Sequence, residues 1–256
     1  MNGSLLNVLG GYFSSMSRHR LDERPSPRSW LRSGLPLNFG TQSGCFIWGV
    51  EGYLQWRLSL VSVAVLAGGQ SKRMGQDKAF LQVGQSSVIE RVLDSVTGLT
   101  DDLFIGTNAS KKYESFGLRV VTDVYPGKAA LGGIYSAIHA ARHSHVLVVA
   151  CDMPFLNIEL LRYLTDLAPD VDVVAPLIEP PQPETMHAVY SKNCLGPIES
   201  RLLRNELRVI GFFDDVSVRY VKRDEVKKYD ANLYSFFNIN SPQDWQRAQA
   251  LATKFP

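Results

Sequence analysis

The sequence predicts a three-layer α/β fold in which a mainly parallel sheet carries helices on both faces. Past residue 60, short runs rich in β-branched residues alternate with stretches of helical pattern, which is the order of right-handed β–α–β units. Glycine or a polar residue follows several of the apolar runs where each predicted strand ends. The carboxyl ends of parallel strands form the edge at which α/β proteins bind ligands. We therefore expect a ligand-binding α/β domain.

The first half of this pattern is regular. Residues 61–66 form an apolar run that predicts a buried strand, and the capping box between Ser87 and Glu90 begins a predicted helix over residues 87–96, which Gly98 ends. The same criteria predict further strands and helices in alternation. The strands are at residues 103–105, 118–121, 145–150 and 171–175, and the helices are at residues 110–116, 132–142 and 157–167.

The second half is less regular, and prolines interrupt it. Four of them predict a mobile loop on the substrate side, namely Pro176, Pro180, Pro181 and Pro183. Beyond this loop the pattern predicts strands at residues 187–190 and 217–221 and helices at residues 193–203 and 241–250. Pro242 suits the first turn of the last helix.

Residues 1–60 differ in composition from the rest of the chain. They hold six arginines, no lysine and three acidic residues, for a charge of +3, whereas residues 61–256 hold 21 basic and 22 acidic residues, for a charge of −1. We predict a single domain over residues 61–256, preceded by a leader that is disordered or that comes from a misassigned start. A transit peptide, rich in Arg and Ser and poor in acids, is the third interpretation. The exclusive use of arginine favours the misassigned start.

Composition also excludes several classes of function. The nearly neutral body argues against a nucleic-acid partner, since such binding requires a basic surface. The apolar stretch at residues 44–66 is interrupted by Glu51, Gln55 and Arg57 before it reaches the roughly 18 to 20 apolar residues that cross a bilayer, so no membrane span is expected. Three cysteines without a C-x-x-C pair indicate neither a disulfide framework nor a zinc site. We expect a reducing compartment, the cytoplasm.

The most informative stretch is residues 63–78, where an apolar strand runs into a glycine-rich turn that carries cations. Gly68, Gly69 and Gly75 allow main-chain N–H groups to approach an anion, and Arg73 and Lys78 supply positive charge. The turn is not a Walker A loop, because its glycine interval is wrong and a Gln-Asp pair stands where Lys-Ser/Thr is required, and the sequence has no G-x-G-x-x-G. The stretch predicts a polyphosphate site of another type.

Polar side chains follow three more of the predicted strands. Asn108, Asp123 and Asp152 each come at or just after the end of an apolar run, so four strand ends, with the glycine-rich turn, are expected to meet at one edge of the sheet. A turn or helix cap is the alternative for each residue taken alone. Mg²⁺ prefers carboxylate oxygens together with substrate phosphates. We therefore predict Asp152 as the metal ligand.

Four groups of motifs in this sequence also occur together in a known family. They are Leu66-Ala67-Gly68-Gly69 with Ser71, Arg73-Met74-Gly75 and Asp77-Lys78; Pro126-Gly127-Lys128 with Leu131-Gly132-Gly133-Ile134; Cys151-Asp152-Met153-Pro154-Phe155; and Asn238-Ile239-Asn240-Ser241-Pro242. With them, the chain from about residue 61 to its end resembles the molybdenum cofactor guanylyltransferase family, in the wider class of nucleotidyltransferases with a Rossmann-like fold. The first sixty residues lie outside the resemblance.

The resemblance implies an enzyme that uses GTP and Mg²⁺ to add GMP to the terminal phosphate of molybdopterin, or of its molybdenum-loaded form, with release of pyrophosphate. It also implies contacts with other proteins of molybdenum cofactor biosynthesis and with acceptor molybdoenzymes. Carried over by position, it implies that nucleotide is bound by Leu66, Ala67, Gly68, Gly69, Lys78, Asn108, Asp123 and Asp152. It places Asn238 and Asn240 near the acceptor. Arg73 is our own assignment for charge neutralisation along the triphosphate.

Two departures from the family pattern stand out. Ala129 and Ala130 occupy positions where the family usually has glycine and proline, and Asn238 and Asn240 are amides where many sugar nucleotidyltransferases offer a second metal carboxylate. The alternative functions are cytidylyl or sugar-phosphate nucleotidyl transfer, and nucleotide binding by an adaptor without chemistry. Because Gly68 lacks the methyl group of the alanine that cytidylyl enzymes tend to carry, this position favours a purine.

Overall fold

The computed structural model describes residues 61–68 and 77–254. The predicted leader at residues 1–60 and two predicted site residues, Gly69 and Arg73, lie outside the described residues. Their assignments therefore stay predictions.

A seven-stranded sheet forms the centre of the described domain, in the order β5-β4-β1-β6-β8-β7-β9. β8 runs antiparallel to both of its neighbours, and the remaining pairs are parallel. The predicted mainly parallel sheet is thus confirmed. The strands are β1 Val61–Leu66, β4 Leu103–Gly106, β5 Arg119–Val121, β6 His145–Ala150, β7 Val173–Leu177, β8 His187–Ser191 and β9 Val218–Lys222, with a separate hairpin of β2 Gln82–Val83 and β3 Ser86–Ser87.

Helices cover both faces of this sheet. The α-helices are α1 Val88–Val96, α2 Ala129–Ala140, α3 Ile158–Asp166, α4 Leu195–Leu203, α5 Arg223–Val226 and α6 Pro242–Ala252. Short 3-10 turns join them, at Lys78–Phe80, Thr97–Leu99, Ser110–Lys112, Glu114–Phe116, Ala168–Asp170, Lys192–Cys194, Val209–Asp215 and Tyr234–Phe236. Among the described residues, none of the helices has the length and apolar character needed to cross a bilayer.

The alternation of side chains along β1 shows why the fold has three layers. Val63 and Val65 point into one core with α1 and α3, whereas Ala64 and Leu66 point into a second core with α2 and α4. All six residues of β1 are buried, as a central parallel strand covered on both faces requires. The sheet therefore holds its loops on a rigid, fully packed base.

Three local predictions were wrong. The expected helix over residues 110–116 is two separate 3-10 turns, and α2 begins at Ala129, three residues before its predicted start, because Gly132 and Gly133 weaken the helical pattern in the sequence. Pro176 lies buried inside β7 rather than in the predicted loop, and its carbonyl accepts a 2.8 Å hydrogen bond from the Glu184 amide. The hairpin β2–β3, the turn Val209–Asp215 and α5 carry no strong sequence signal and were not predicted.

Candidate active site

The carboxyl ends of four parallel strands meet at one edge of the sheet. β5, β4, β1 and β6 are neighbours in that order, so the residues that follow them come to the same edge. Main-chain hydrogen bonds continue beyond the strands, from the Ala67 amide to the Gly106 carbonyl at 2.8 Å and from the Cys151 amide to the Leu66 carbonyl at 3.1 Å. These bonds fix the start of the glycine-rich turn against the chain that leads to Asp152.

Lys78 begins a short helical turn that two contacts hold in place. Asp77 precedes the turn and its carboxylate accepts from the Ala79 amide at 3.4 Å, while the Lys112 ammonium pairs with the same carboxylate at 2.9 Å. The side chain of Lys78 is half-buried, and its Nζ donates a 2.8 Å hydrogen bond to Oδ1 of Asn240. Lys78 is therefore directed towards the C-terminal segment of the site.

Asp152 lies two residues beyond β6 and is half-buried. Burial raises the pKa of its carboxyl group, and the positive charge of Lys78 acts in the opposite direction, so the two side chains share one electrostatic environment. The alternative role as a helix cap does not hold, because α3 is capped by Asn157, whose side chain accepts from the Leu160 amide at 2.9 Å. The structure thus brings the predicted metal ligand and the predicted triphosphate lysine together.

The thiol of Cys151 lies near the charged groups of Asp77, Lys78 and Asp152. Burial raises its pKa, the carboxylates of Asp152 and Asp77 raise it further, and the charge of Lys78 lowers it. A cysteine whose pKa is raised in this way is a poor nucleophile. The structure supports a packing role for Cys151.

Asn108 and Asp123 bind each other across the ends of β4 and β5. The Asn108 Nδ2 donates to Asp123 Oδ2 at 2.6 Å, and the Asp123 amide donates to Asn108 Oδ1 at 3.0 Å. A Cβ atom added at Gly133 in the first turns of α2 would lie 3.4 Å from Leu66 and 3.9 Å from the Asp123 carboxylate. Leu66, Asp123 and the start of α2 therefore line the same part of the edge.

The segment that contains Asn238 and Asn240 crosses the site beside Asp152. The Ile239 amide donates a 3.1 Å hydrogen bond to the Asp152 carbonyl, and the Ile239 side chain is fully buried. Ser241 then caps α6 through the Asp244 amide, and the Asn240 amide donates to the Asp244 carboxylate at 3.1 Å. This anchoring presents both predicted acceptor residues at the edge of the site.

The donor set limits the kind of metal site that the chain itself can form. Across residues 61–68 and 77–254, no group of three or more His, Cys, Asp or Glu side chains is arranged to hold a metal ion. A lone half-buried carboxylate fits a hard divalent cation that takes its other ligands from phosphates and water. Asp152 fits such an ion together with a polyphosphate.

Sequence reasoning missed two features next to this site. His187, at the start of β8, is fully buried, and neither of its ring nitrogens has a hydrogen-bond partner among the described residues. Glu199 of α4 accepts hydrogen bonds from two tyrosine hydroxyls behind the loop that leads into α2. Neither residue lies in a motif, so no signal in the sequence indicated it.

Comparison with known proteins agrees with this geometry. The family described as MobA-like NTP transferase domain matches residues 63–214, and the chain belongs to this family. A probable molybdenum cofactor guanylyltransferase from Pelotomaculum thermopropionicum is 37% identical over 188 residues, which cover 73% of this chain and 91% of that protein. A molybdenum cofactor guanylyltransferase from Desulfosudis oleivorans is 31% identical over 195 residues, covering 75% and 96%.

Among solved structures, the chain is similar to molybdopterin-guanine dinucleotide biosynthesis protein A from Archaeoglobus fulgidus. The TM-score is 0.67 at 26% identity, and the match covers 76% of this chain and all of that one. The predicted fold class and the predicted family are thereby confirmed.

Proposed function

We propose that this chain transfers GMP from GTP to the terminal phosphate of molybdopterin, or of its molybdenum-loaded form, and releases pyrophosphate. Membership of the family makes it a nucleotidyltransferase. The single observation that carries the reaction is that one segment holds Lys78 and Asp152 at the same edge of the sheet: Lys78 donates to Asn240 at 2.8 Å, and the amide of the preceding residue, Ile239, donates to the Asp152 carbonyl at 3.1 Å. Relatives that the chain covers almost fully are named for this activity.

The nucleotide lies over the β5-β4-β1 half of the edge in this proposal. Leu66, Ala67, Gly68 and Gly69 line the guanine site, and Asn108 and Asp123 complete it. Lys78 and Arg73 neutralise charge along the triphosphate. Support for this placement comes from the contact between Asn108 and Asp123 and from the approach of α2 to Leu66.

Divalent metal use is typical of this class, and the proposed ion here is Mg²⁺. Asp152 would hold it with the phosphates, and it would supply positive charge to the oxygens around the reacting phosphorus. The amides Asn238 and Asn240 do not add a second carboxylate. They are instead proposed to contact the acceptor.

The reaction needs no strong general base. The nucleophile is a phosphate whose second pKa is about 6, so it is already ionised at pH 7. The protein must place two mutually repelling anions in line and stabilise the charge that develops on the departing pyrophosphate. Lys78, Arg73 and the main-chain N–H groups of the turn are proposed for this work.

The remaining expectations stay proposals. Residues 61–256 are proposed to form the whole nucleotidyltransferase domain, with residues 1–60 outside it. The enzyme is proposed to act in the cytoplasm, where it would meet other proteins of molybdenum cofactor biosynthesis and the molybdoenzymes that receive its product.

One assay tests the reaction. The full chain is incubated with molybdopterin, Mg²⁺ and each of the four ribonucleoside triphosphates in turn, and released pyrophosphate is measured. The expected result is pyrophosphate with GTP above the other three. Preference for CTP would assign the cytidylyl reaction instead, and GTP binding without pyrophosphate release would make the chain an adaptor.

A further inference from the structure

The loop between β5 and α2, residues 124–128, is held in an unusual backbone geometry. Gly127 has a φ of 78°, and Ala129, the first residue of α2, has a φ of 50°. A non-glycine residue in this region costs free energy and persists only where its surroundings hold it. Contacts with neighbouring elements must therefore hold this loop.

The loop also packs tightly against the first turn of α2. A Cβ atom added at Gly132 would lie 2.9 Å from the Lys128 Cβ and 3.0 Å from the Tyr125 carbonyl oxygen. The next glycine, Gly133, lies beside Leu66 and Asp123, as described above. A shift of the loop would therefore move the first turn of α2 relative to Leu66 and Asp123, two of the residues proposed to bind the nucleotide.

Glu199 of α4 holds this loop from behind. Its Oε1 accepts a 2.6 Å hydrogen bond from the Tyr125 hydroxyl in the loop and a 3.1 Å hydrogen bond from the Tyr135 hydroxyl in α2. The two rings meet edge to face, with 5.2 Å between their centroids. One carboxylate oxygen thus joins the loop, α2 and α4.

A second contact supports the same attachment. The Lys128 Nζ at the end of the loop donates a 3.0 Å hydrogen bond to Oδ1 of Asn205, which follows α4. Since Lys128 and Asn205 are both at the surface, this bond alone would contribute little. The carboxylate of Glu199 is half-buried and accepts two hydrogen bonds, so it contributes the stronger attachment.

We propose that Glu199 is a positioning residue for the nucleotide: through Tyr125 and Tyr135 it fixes the loop and the first turn of α2 in the geometry that receives the nucleotide. The identity of the nucleotide as GTP rests on the proposed function. Glu199 acts through the two tyrosines, and the acceptor side of the site does not depend on it.

The protonation states of these groups agree with a permanent attachment. The hydrogen bond to Glu199 is the main cause that raises the pKa of Tyr125 to about 12, and burial followed by the same carboxylate raises the pKa of Tyr135. Both hydroxyls are protonated in the neutral range, as tyrosines of ordinary pKa are, and can donate to Glu199. Loss of Glu199 would return the pKa of Tyr125 towards 10, which an ultraviolet titration of tyrosinate detects.

The test compares Glu199→Ala, Glu199→Gln and Tyr125→Phe with the wild-type full chain. Glu159→Gln, which removes an exposed, paired carboxylate on α3, is the matched control. The expected result for Glu199→Ala is about tenfold weaker binding of a non-hydrolysable GTP analogue, with an acceptor KM within about twofold of wild type. Glu199→Gln should recover part of the affinity because its amide oxygen still accepts a hydrogen bond.

Two outcomes would overturn the proposal. Unchanged analogue affinity in Glu199→Ala, with only a lower melting temperature, would make the contact purely structural. Equally weaker binding of the GTP analogue and of the acceptor would show that the Glu199 contact supports the fold in general and not the nucleotide side in particular. If the wild type prefers a nucleotide other than GTP, the proposed guanylyl transfer is wrong. The same comparison of variants, made with a non-hydrolysable analogue of the preferred nucleotide, still tests the role of Glu199.

Discussion

The Nζ of Lys78 donates a 2.8 Å hydrogen bond to Oδ1 of Asn240, which joins positions 162 residues apart in the sequence. Lys78 follows the glycine-rich turn, whereas Asn240 belongs to the segment that Ile239 ties to the Asp152 carbonyl. In the proposed function, Lys78 contacts the triphosphate and Asn240 contacts the acceptor. Their hydrogen bond would then join the nucleotide side of the site to the acceptor side.

The first prediction concerns this pair. Lys78→Met should lower kcat/KM for GTP by at least about 100-fold, because it removes the positive charge that is proposed to contact the triphosphate, and Asn240→Ala should mainly raise the acceptor KM. The double variant should lose less than the sum of the two in free energy, because directly contacting residues are coupled. Steady-state kinetics of the four proteins gives the coupling energy. Strict additivity would show that the hydrogen bond has no role in turnover.

The second prediction concerns Asp152, the proposed metal ligand. Asp152→Asn keeps the shape of the side chain but removes its charge, so GMP transfer should fall by about 100- to 1,000-fold, the usual loss for one group that stabilises transition-state charge. Pyrophosphate release measures this, and circular dichroism checks the fold. Asp166→Asn, at the exposed end of α3, should behave as wild type. Near-normal turnover by Asp152→Asn would remove Asp152 from the mechanism.

The third prediction concerns the choice of base. No heavy atom of the described residues, chain neighbours aside, comes within 4 Å of a Cβ atom added at Gly68, so Gly68→Ala should fold normally. The added methyl group should raise KM for GTP more than KM for CTP, since it narrows the space that favours a purine. The ratio of kcat/KM for the two nucleotides is the measurement. An unchanged ratio would place base selection elsewhere.

The fourth prediction concerns the buried imidazole. His187 has no exposed surface, and its ring lies 4.8 Å from that of Phe236, centroid to centroid. Burial lowers its pKa from 6.5 to about 4, and the charge of Asp230 opposes this only in part. The unfolded chain therefore binds a proton between pH 6.5 and 4 that the folded chain does not, so the free energy of unfolding should fall by about 3 kcal/mol across this window as the pH is lowered.

His187→Leu tests this directly. Leucine removes two buried nitrogens that have no hydrogen-bond partner within residues 61–68 and 77–254, so it should raise the free energy of unfolding at pH 7 by about 1 kcal/mol and flatten the pH dependence between 6.5 and 4. Urea denaturation at several pH values measures both effects. His139→Gln, on the exposed side of α2, should leave the pH dependence unchanged. A leucine variant that is as pH-dependent as wild type would show that His187 is not the titrating group.

Much of the fold could be predicted because its signals are local. The apolar run of β1 and the capping box at Ser87 gave the correct bounds, since a buried strand and a capped helix are defined by neighbouring residues. The meeting of four strand ends at one edge of the sheet could also be predicted, because neighbouring parallel strands place their carboxyl ends together. The predicted start of α2 was wrong because two glycines weaken the local helical pattern, and Pro176 was misplaced because pairing of β7 with the distant strand β9 keeps it in the sheet.

By itself, the sequence determined the fold class and the family, because motif residues and strand ends are readable in order along the chain. It also predicted Lys78, Asp152 and the two asparagines as site residues, and these assignments stay predictions. Only the tertiary structure decided that Lys78 contacts Asn240, that the buried ring of His187 has no hydrogen-bond partner in the described part of the chain, and that Glu199 accepts hydrogen bonds from the loop before α2. Each of these depends on residues far apart in sequence. Which of these residues come into contact depends on how the helices pack on the sheet, and a local sequence pattern does not contain that information.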